Sequence, residues 1–363
     1  MKITSCFLLL FFINHIHAQS DSTLQFLEEL ADEAIATCTY AGLSIGYQLA
    51  GEEPVVATAG FRDMEDRLVY EPTTENRIAS ISKTITAVAI LQLQEQEKLH
   101  IDVPLSTYLP EFPRGDEITI RQLLHHTSGI GQYEGRETES KIRYPDLQAA
   151  ASVFADRPLV HEPGTAYYYT TYGYVVLGLV IEKVSGMTYE EYLQEHIFSV
   201  AEMTQTNIEY EYHHTDNNNK LYTRKRNGKI KLAEANNLSN RIPGGGITST
   251  VPDLLKFGQA LMDGRLISEA SLNAMCTQSE VDYGENNPYG MGLFLYHIKV
   301  KAPWGQFVGH GGAQTGVSSQ LMLMPEQGIS VIVLTNTSRA WQDTIQLSIE
   351  VMKAAYRVYS KKG

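Results

Sequence analysis

The feature that most constrains this chain is where its strand-like segments lie: near both ends, with helix-like segments between. Residues 41–50 and 55–61, split by Gly51-Glu52-Glu53-Pro54, read as two strands joined by a turn. Residues 291–300, 304–310, 318–324 and 329–336 read as four more, the last two joined across Pro325-Glu326-Gln327-Gly328. Helical periodicity marks 24–37, 119–125, 146–155, 173–185, 189–197, 253–263, 268–275 and 340–359. Strands at both ends with helices between imply an α+β fold. One antiparallel sheet is completed by the N- and C-terminal segments, flanked by helices, with a helical lobe inserted. The expected division of the single domain 19–363 is a sheet lobe (about 24–126 and 242–360) and a helical lobe (about 127–241). A cleft between lobes is the natural ligand site.

Residues 1–18 read as a secretory signal. Lys2 precedes the apolar run Phe7-Leu8-Leu9-Leu10-Phe11-Phe12-Ile13, and Ala18 stands at the expected cleavage point before Gln19. The run is too short to span a bilayer. The expected mature protein is therefore exported, periplasmic or secreted, with no membrane anchor. The full chain carries 42 acidic residues against 29 basic ones, a formal charge of −13 that becomes −14 once the leader with Lys2 is removed, which argues against nucleic acid or an anionic membrane as partner. Cys6 falls inside the leader, so Cys38 and Cys276 remain, either as one disulfide or as two small buried side chains.

Ser80 stands where a run of good helix formers begins, with Ile81, Ile85, Val88 and Leu91 spaced as one buried stripe. Free N–H groups and the positive dipole end favour an alkoxide there. Lys83, three residues on, lies over the same face and reaches the hydroxyl. A buried lysine loses its proton readily and can accept one from serine, whereas a charged lysine would stabilise the alkoxide. The plainer reading is a helix cap followed by a solvated lysine.

Further along, Tyr167-Tyr168-Tyr169-Thr170-Thr171-Tyr172-Gly173-Tyr174 is either a hydrogen-bonding core cluster or a source of a tyrosine general base. Val308-Gly309-His310-Gly311-Gly312-Ala313 ends a predicted strand with glycines, where backbone can approach a ligand. Gly244-Gly245-Gly246 is a second such place, or simply a bend. The pairs His125-His126 and His213-His214 point to opposite faces and no Cys pairing is present, so no metal or other cofactor is expected. The polar stretch 210–231 reads as a lid or a solvated loop.

Taken in order, Phe61-Arg62-Asp63, Arg77-Ile78-Ala79-Ser80-Ile81-Ser82-Lys83, Leu123-Leu124-His125-His126-Thr127-Ser128-Gly129, Pro163-Gly164-Thr165, Tyr169 to Tyr174 and His310-Gly311-Gly312 resemble the landmarks of the serine β-lactamase-like family. The resemblance is to its branch of class C β-lactamases, D-alanyl-D-alanine carboxypeptidases and esterases. It implies acyl transfer on a small-molecule or peptide substrate. Ser80 would attack, Lys83 and Tyr169 would share proton transfer, and His310, Gly311 and Gly312 would line the opposite wall. The oxyanion hole would use the N–H groups of Ser80 and of a residue near Ala313. Two positions depart from the class C pattern: Thr171 stands where an asparagine is usual, and His310 replaces a lysine, making its charge pH-dependent. Both favour the esterase, peptidase or mitochondrial β-lactamase-like subgroups. The expectation is an exported serine hydrolase; the alternatives are a catalytically silent penicillin-binding-like sensor and a true class C-type β-lactamase. Oligomeric state is left open.

Overall fold

A computed structural model describes residues 22–37, 39–212, 219–298 and 304–362. The expected leader, Cys38 and His213-His214 lie outside the described residues. Helix α1 (22–36) leads into β1 (Gly42–Leu49), β2 (Val55–Asp63), β3 (Leu68–Val69) and β4 (Asn76–Arg77). Next come α2 (Ser82–Glu95), α3 (Ile120–Leu124), α4 (Leu147–Ala151), α5 (Tyr172–Ser185) and α6 (Tyr189–Leu193). Short strands β5 (Asn207–Ile208), β6 (Tyr222–Arg224) and β7 (Ile230–Leu232) precede α7 (Ile242–Gly245), β8 (Ile247–Ser249), α8 (Val251–Met262) and α9 (Glu269–Met275). The chain closes with β9 (Val308–Gln314), β10 (Val317–Met324), β11 (Ile329–Thr335), β12 (Thr337–Ser338) and α10 (Trp341–Ser360).

The main sheet runs β3-β2-β1-β11-β10-β9, antiparallel throughout. Its N- and C-terminal contributions meet at the centre, where Leu43 faces Thr335 and Leu49 faces Ile329. Because strand side chains alternate, Leu43, Ile45, Val331 and Val333 pack on Leu27 of α1 and Val351 and Met352 of α10, while Ile332 and Leu334 join the larger core with Leu254 and Leu255 of α8. The sheet is thus covered on both faces, and each buried Leu or Ile contributes about 1.5–3 kcal/mol. Two small sheets cross between the sheet-bearing and helical parts: β4-β8-β5 and β12-β6-β7.

Two sequence expectations change. Helix α2 buries every residue from Ser82 to Leu93, not one stripe, because it runs through the centre of the molecule against α5 and α7. Its polar side chains are satisfied internally: Thr84 Oγ1 donates to Gly292 O (2.7 Å) and Thr86 Oγ1 to Pro243 O (2.6 Å). Of the strand expected over 291–300, the described part, 291–298, forms bends and a 3-10 turn at Tyr296–Ile298 instead. Gly292 has φ +77, a conformation that breaks a strand there. Within the polar stretch 210–231, part becomes β6 and the start of β7.

Candidate active site

Ser80 sits in a 3-10 turn, Ala79–Ile81, that enters α2, rather than in the first turn of the helix itself. Ala79 holds φ 49, a region costly for a residue with a Cβ. The turn is held by Ile78 N donating to Ile247 O (3.0 Å) and Ser82 Oγ donating to Ala79 O (2.7 Å). Ser80 is half-buried and Lys83 fully buried.

Lys83 Nζ lies 3.1 Å from Ser80 Oγ, 3.2 Å from Thr171 Oγ1 and 2.7 Å from Gly244 O. Burial, with the nearby Arg241 guanidinium adding to it, holds its pKa well below the usual lysine range. An uncharged amine has two N–H groups and one lone pair. In that form the carbonyl of Gly244 and the hydroxyl of Thr171 would take the former, leaving the lone pair to Ser80. The glycine run at 244–246 therefore does bring backbone to the site, through one carbonyl.

Tyr169 is half-buried, its ring centroid 4.9 Å from Lys83 Nζ. Burial pushes its phenol well above the usual value, with a hydrogen bond to Ser80 acting the other way. Tyr169 is positioned by His126, whose ring lies 4.4 Å away, whose Nδ1 accepts from Thr170 N (3.2 Å) and whose carbonyl accepts from Tyr168 N (2.8 Å). Of the other clustered tyrosines, Tyr172 donates to Glu137 Oε2 (2.8 Å) and Tyr174 to Leu124 O (2.9 Å), as core residues do.

Thr171 caps α5 and is bracketed by Gln132, which the sequence reading missed. Gln132 Nε2 donates to Thr171 Oγ1 (3.2 Å), and Thr171 N donates to Gln132 Oε1 (3.0 Å). The amide absent at position 171 is thereby supplied from 39 residues away. No local pattern announces that contact.

His310 calls for correction. It lies within β9, not at a strand end, and is buried. Nδ1 meets Gly311 O at 2.7 Å, which assigns the proton to Nδ1, so Nε2 accepts from Tyr289 OH (3.0 Å). Burial, with Lys83 adding to it, pulls its pKa down to about 3. Its charge is therefore not pH-dependent over the neutral range, and both nitrogens serve protein partners rather than a substrate. Gly311 and Gly312 matter for what they lack: a Cβ on Gly311 would fall on the Trp341 ring, and one on Gly312 on Ile78 O and Ser319 Oγ. Strand β9 can thus lie directly against the Ser80 turn. Ala313 follows, exposed at the mouth of a groove.

Behind the site, buried Arg77 donates through Nε to Glu209 Oε2 (2.8 Å) and through Nη1 to Asn236 Oδ1 (2.7 Å) and Thr315 O (3.3 Å). Among the described residues, no group of side chains could hold a metal ion, and no helix is long and apolar enough to cross a membrane.

Known proteins resemble this chain over most of its length. The profile of the family described as Beta-lactamase matches residues 27–354. The serine beta-lactamase-like protein LACTB, mitochondrial, of Bos taurus is 26% identical, the alignment spanning 86% of this chain and 73% of that protein. The putative penicillin-binding protein PbpX of Bacillus subtilis (strain 168) is 34% identical across 69% of this chain and 60% of its own length. Among solved structures, a D-stereospecific amidohydrolase from Streptomyces sp. superposes with a TM-score of 0.73 at 28% identity, covering 90% of this chain and 98% of that one.

Proposed function

This chain belongs to the beta-lactamase family, and from that premise we propose that it is an exported serine hydrolase that cleaves an ester or amide through an acyl-enzyme on Ser80. The observation that carries the reading is the buried Lys83 amine, 3.1 Å from the Ser80 hydroxyl with its other contacts fixed by Gly244 and Thr171. Export rests on the leader-like residues 1–18.

In the proposed reaction neutral Lys83 accepts the Ser80 proton as Oγ bonds to the substrate carbonyl carbon. The carbonyl electrons move onto oxygen, held by the N–H groups of Ser80 and Ala313. Collapse of that adduct breaks the bond to the leaving group, which takes a proton from Tyr169. A phenol held well above its usual pKa stays protonated and is suited to donate. Tyr169 recovers its proton from Lys83. Water then attacks the acyl-Ser80 ester, giving one proton to Lys83, and Ser80 leaves with a proton returned along the same route. Gln132 and Thr171 offer donors and acceptors to the amide or ester being cleaved. The D-stereospecificity in the name of the Streptomyces amidohydrolase makes amides of D-configured compounds the first to screen.

Intact-mass spectrometry after treatment with a fluorophosphonate tests this. One adduct on the wild-type chain, absent in Ser80→Ala and slowed at least about 100-fold in Lys83→Ala, is expected. An unlabelled wild-type chain beside a labelled control hydrolase would turn the reading to a silent binding protein.

A further inference from the structure

Beyond Ala313 the cleft opens into a groove of about 1250 Å³ between residues 134–144 and the small sheet β12-β6-β7. Four acids line it and each has a cation: Glu137 pairs with Arg157, which also lies 3.9 Å from Glu134; Glu139 pairs with Arg136 at 3.7 Å; Glu234 pairs with Lys141. Two more cations line the same groove, Lys231 and Arg339, and among the described residues neither is in an ion pair. The acid four residues on from Arg339, Asp343, is taken by Arg224, which also donates to the Arg339 carbonyl (3.1 Å).

Strand register places Lys231, and Arg339 follows directly after β12. Ser338 stands opposite Thr223, and Thr223 opposite Lys231, so the three side chains form one row on one face of the sheet, and all three line the groove. The Ser338 hydroxyl donates to Tyr222 O (3.2 Å), whereas that of Thr223 has no partner among the described residues. The same groove is lined by Trp341, seated over Gly311, and by Ile142 and Tyr144. Ile142 is an apolar side chain left 62% exposed. The groove therefore combines apolar side chains with two cations outside any ion pair and a hydroxyl, in a protein whose net charge is −13. At the inner end His310 is neutral, Lys83 is committed to Ser80, and the buried Arg241 gives its donors to Asn240 Oδ1 (2.8 Å) and the Glu137 carbonyl (2.6 Å).

We propose that this groove is a subsite for a carboxylate at the far end of the substrate's acyl chain, held by Lys231, Arg339 and the Thr223 hydroxyl beyond an apolar stem. The assignment rests on the reading of Ser80 as the acylated nucleophile. Arginine beside a hydroxyl donor suits a carboxylate, which accepts two parallel hydrogen bonds. The substrate class is thus an ester or amide of a dicarboxylic acyl group, one carboxyl activated at Ser80 and the other free.

The test uses 4-nitrophenyl hydrogen adipate and hydrogen suberate against the corresponding methyl 4-nitrophenyl diesters, which lack the free charge. The wild-type chain is expected to favour the free acid by at least about tenfold in kcat/KM, chiefly through KM, with the preference weakening as salt rises. In Lys231→Ala/Arg339→Ala the acid-to-diester ratio should fall to about one, and Lys231→Arg should restore part of it. A wild-type ratio near one, or a ratio indifferent to the double substitution, overturns the subsite. Should no ester be turned over, calorimetry with suberate monomethyl ester and dimethyl suberate on Ser80→Ala separates the two claims. Binding of the free acid that depends on Lys231 and Arg339 keeps the subsite and removes the hydrolase reading; no binding removes both.

Discussion

At the scale of single residues, burial decides which groups carry charge. His310 stays neutral because its ring is enclosed and its nitrogens are already used, so its pKa falls from 6.5 to about 3. Between those values the unfolded chain binds a proton that the folded chain does not. The contribution of His310 to stability is fully present above pH 6.5 and is lost as pH falls towards 3, by up to about 1.4 kcal/mol per pH unit. His125, lowered to about 4 by burial, acts in the same sense. The melting temperature should therefore drop between pH 7 and pH 5, and His310→Gln should make that drop shallower; an equally steep drop in the variant, followed by circular dichroism, would contradict the assignment. Lys83 is governed by the same physics with a different outcome. In the proposed reaction its depressed pKa makes it the base, so labelling of Ser80 should rise with pH through the lysine's titration, and His310→Gln should leave that limb in place.

At the scale of elements, the glycine pair in β9 sets how closely the edge strand approaches the nucleophile turn. Adding a methyl at Gly312 drives it into the Ile78 carbonyl and the Ser319 hydroxyl, and overpacking of this kind costs about 1–3 kcal/mol. Gly312→Ala is expected to lower the urea midpoint and to slow fluorophosphonate labelling beyond what the lost folded population explains, because Ala313 moves away from Ser80. Gly311→Ala meets a side chain instead of backbone, so Trp341→Ala should relieve much of its cost in a double-mutant cycle. Additive costs would show that the ring can already move aside. The pattern in the sequence placed a strand and glycines here, but placed the strand's end at His310. Local alternation does not reveal that Val308–Gln314 pairs continuously with β10, since the small residues carry almost no periodic signal.

At the scale of the whole molecule, Arg77 joins three distant parts of the chain. From the end of β4 it holds Glu209 after β5, Asn236 ahead of α7 and Thr315 beyond β9. Arg77→Ala leaves the Glu209 carboxylate buried without its cation and should cost about 3–5 kcal/mol. Since β5 pairs with β8 and β6 with β12, helical and sheet-bearing parts should still unfold together. Far-ultraviolet circular dichroism and fluorescence of Trp304 and Trp341 should then give coincident urea transitions; separate midpoints would mean the parts are independent. The sequence by itself determined what is local: the alternation that builds β1, β2, β10 and β11, and the three-residue spacing that sets Lys83 over Ser80 within one turn. Only the tertiary structure decided that Gly244 and Gln132 complete the site, that α2 is enclosed on all sides, and that His310 is neutral. Those outcomes depend on contacts between residues far apart in the chain and on the dielectric they create, neither of which leaves a period in the sequence.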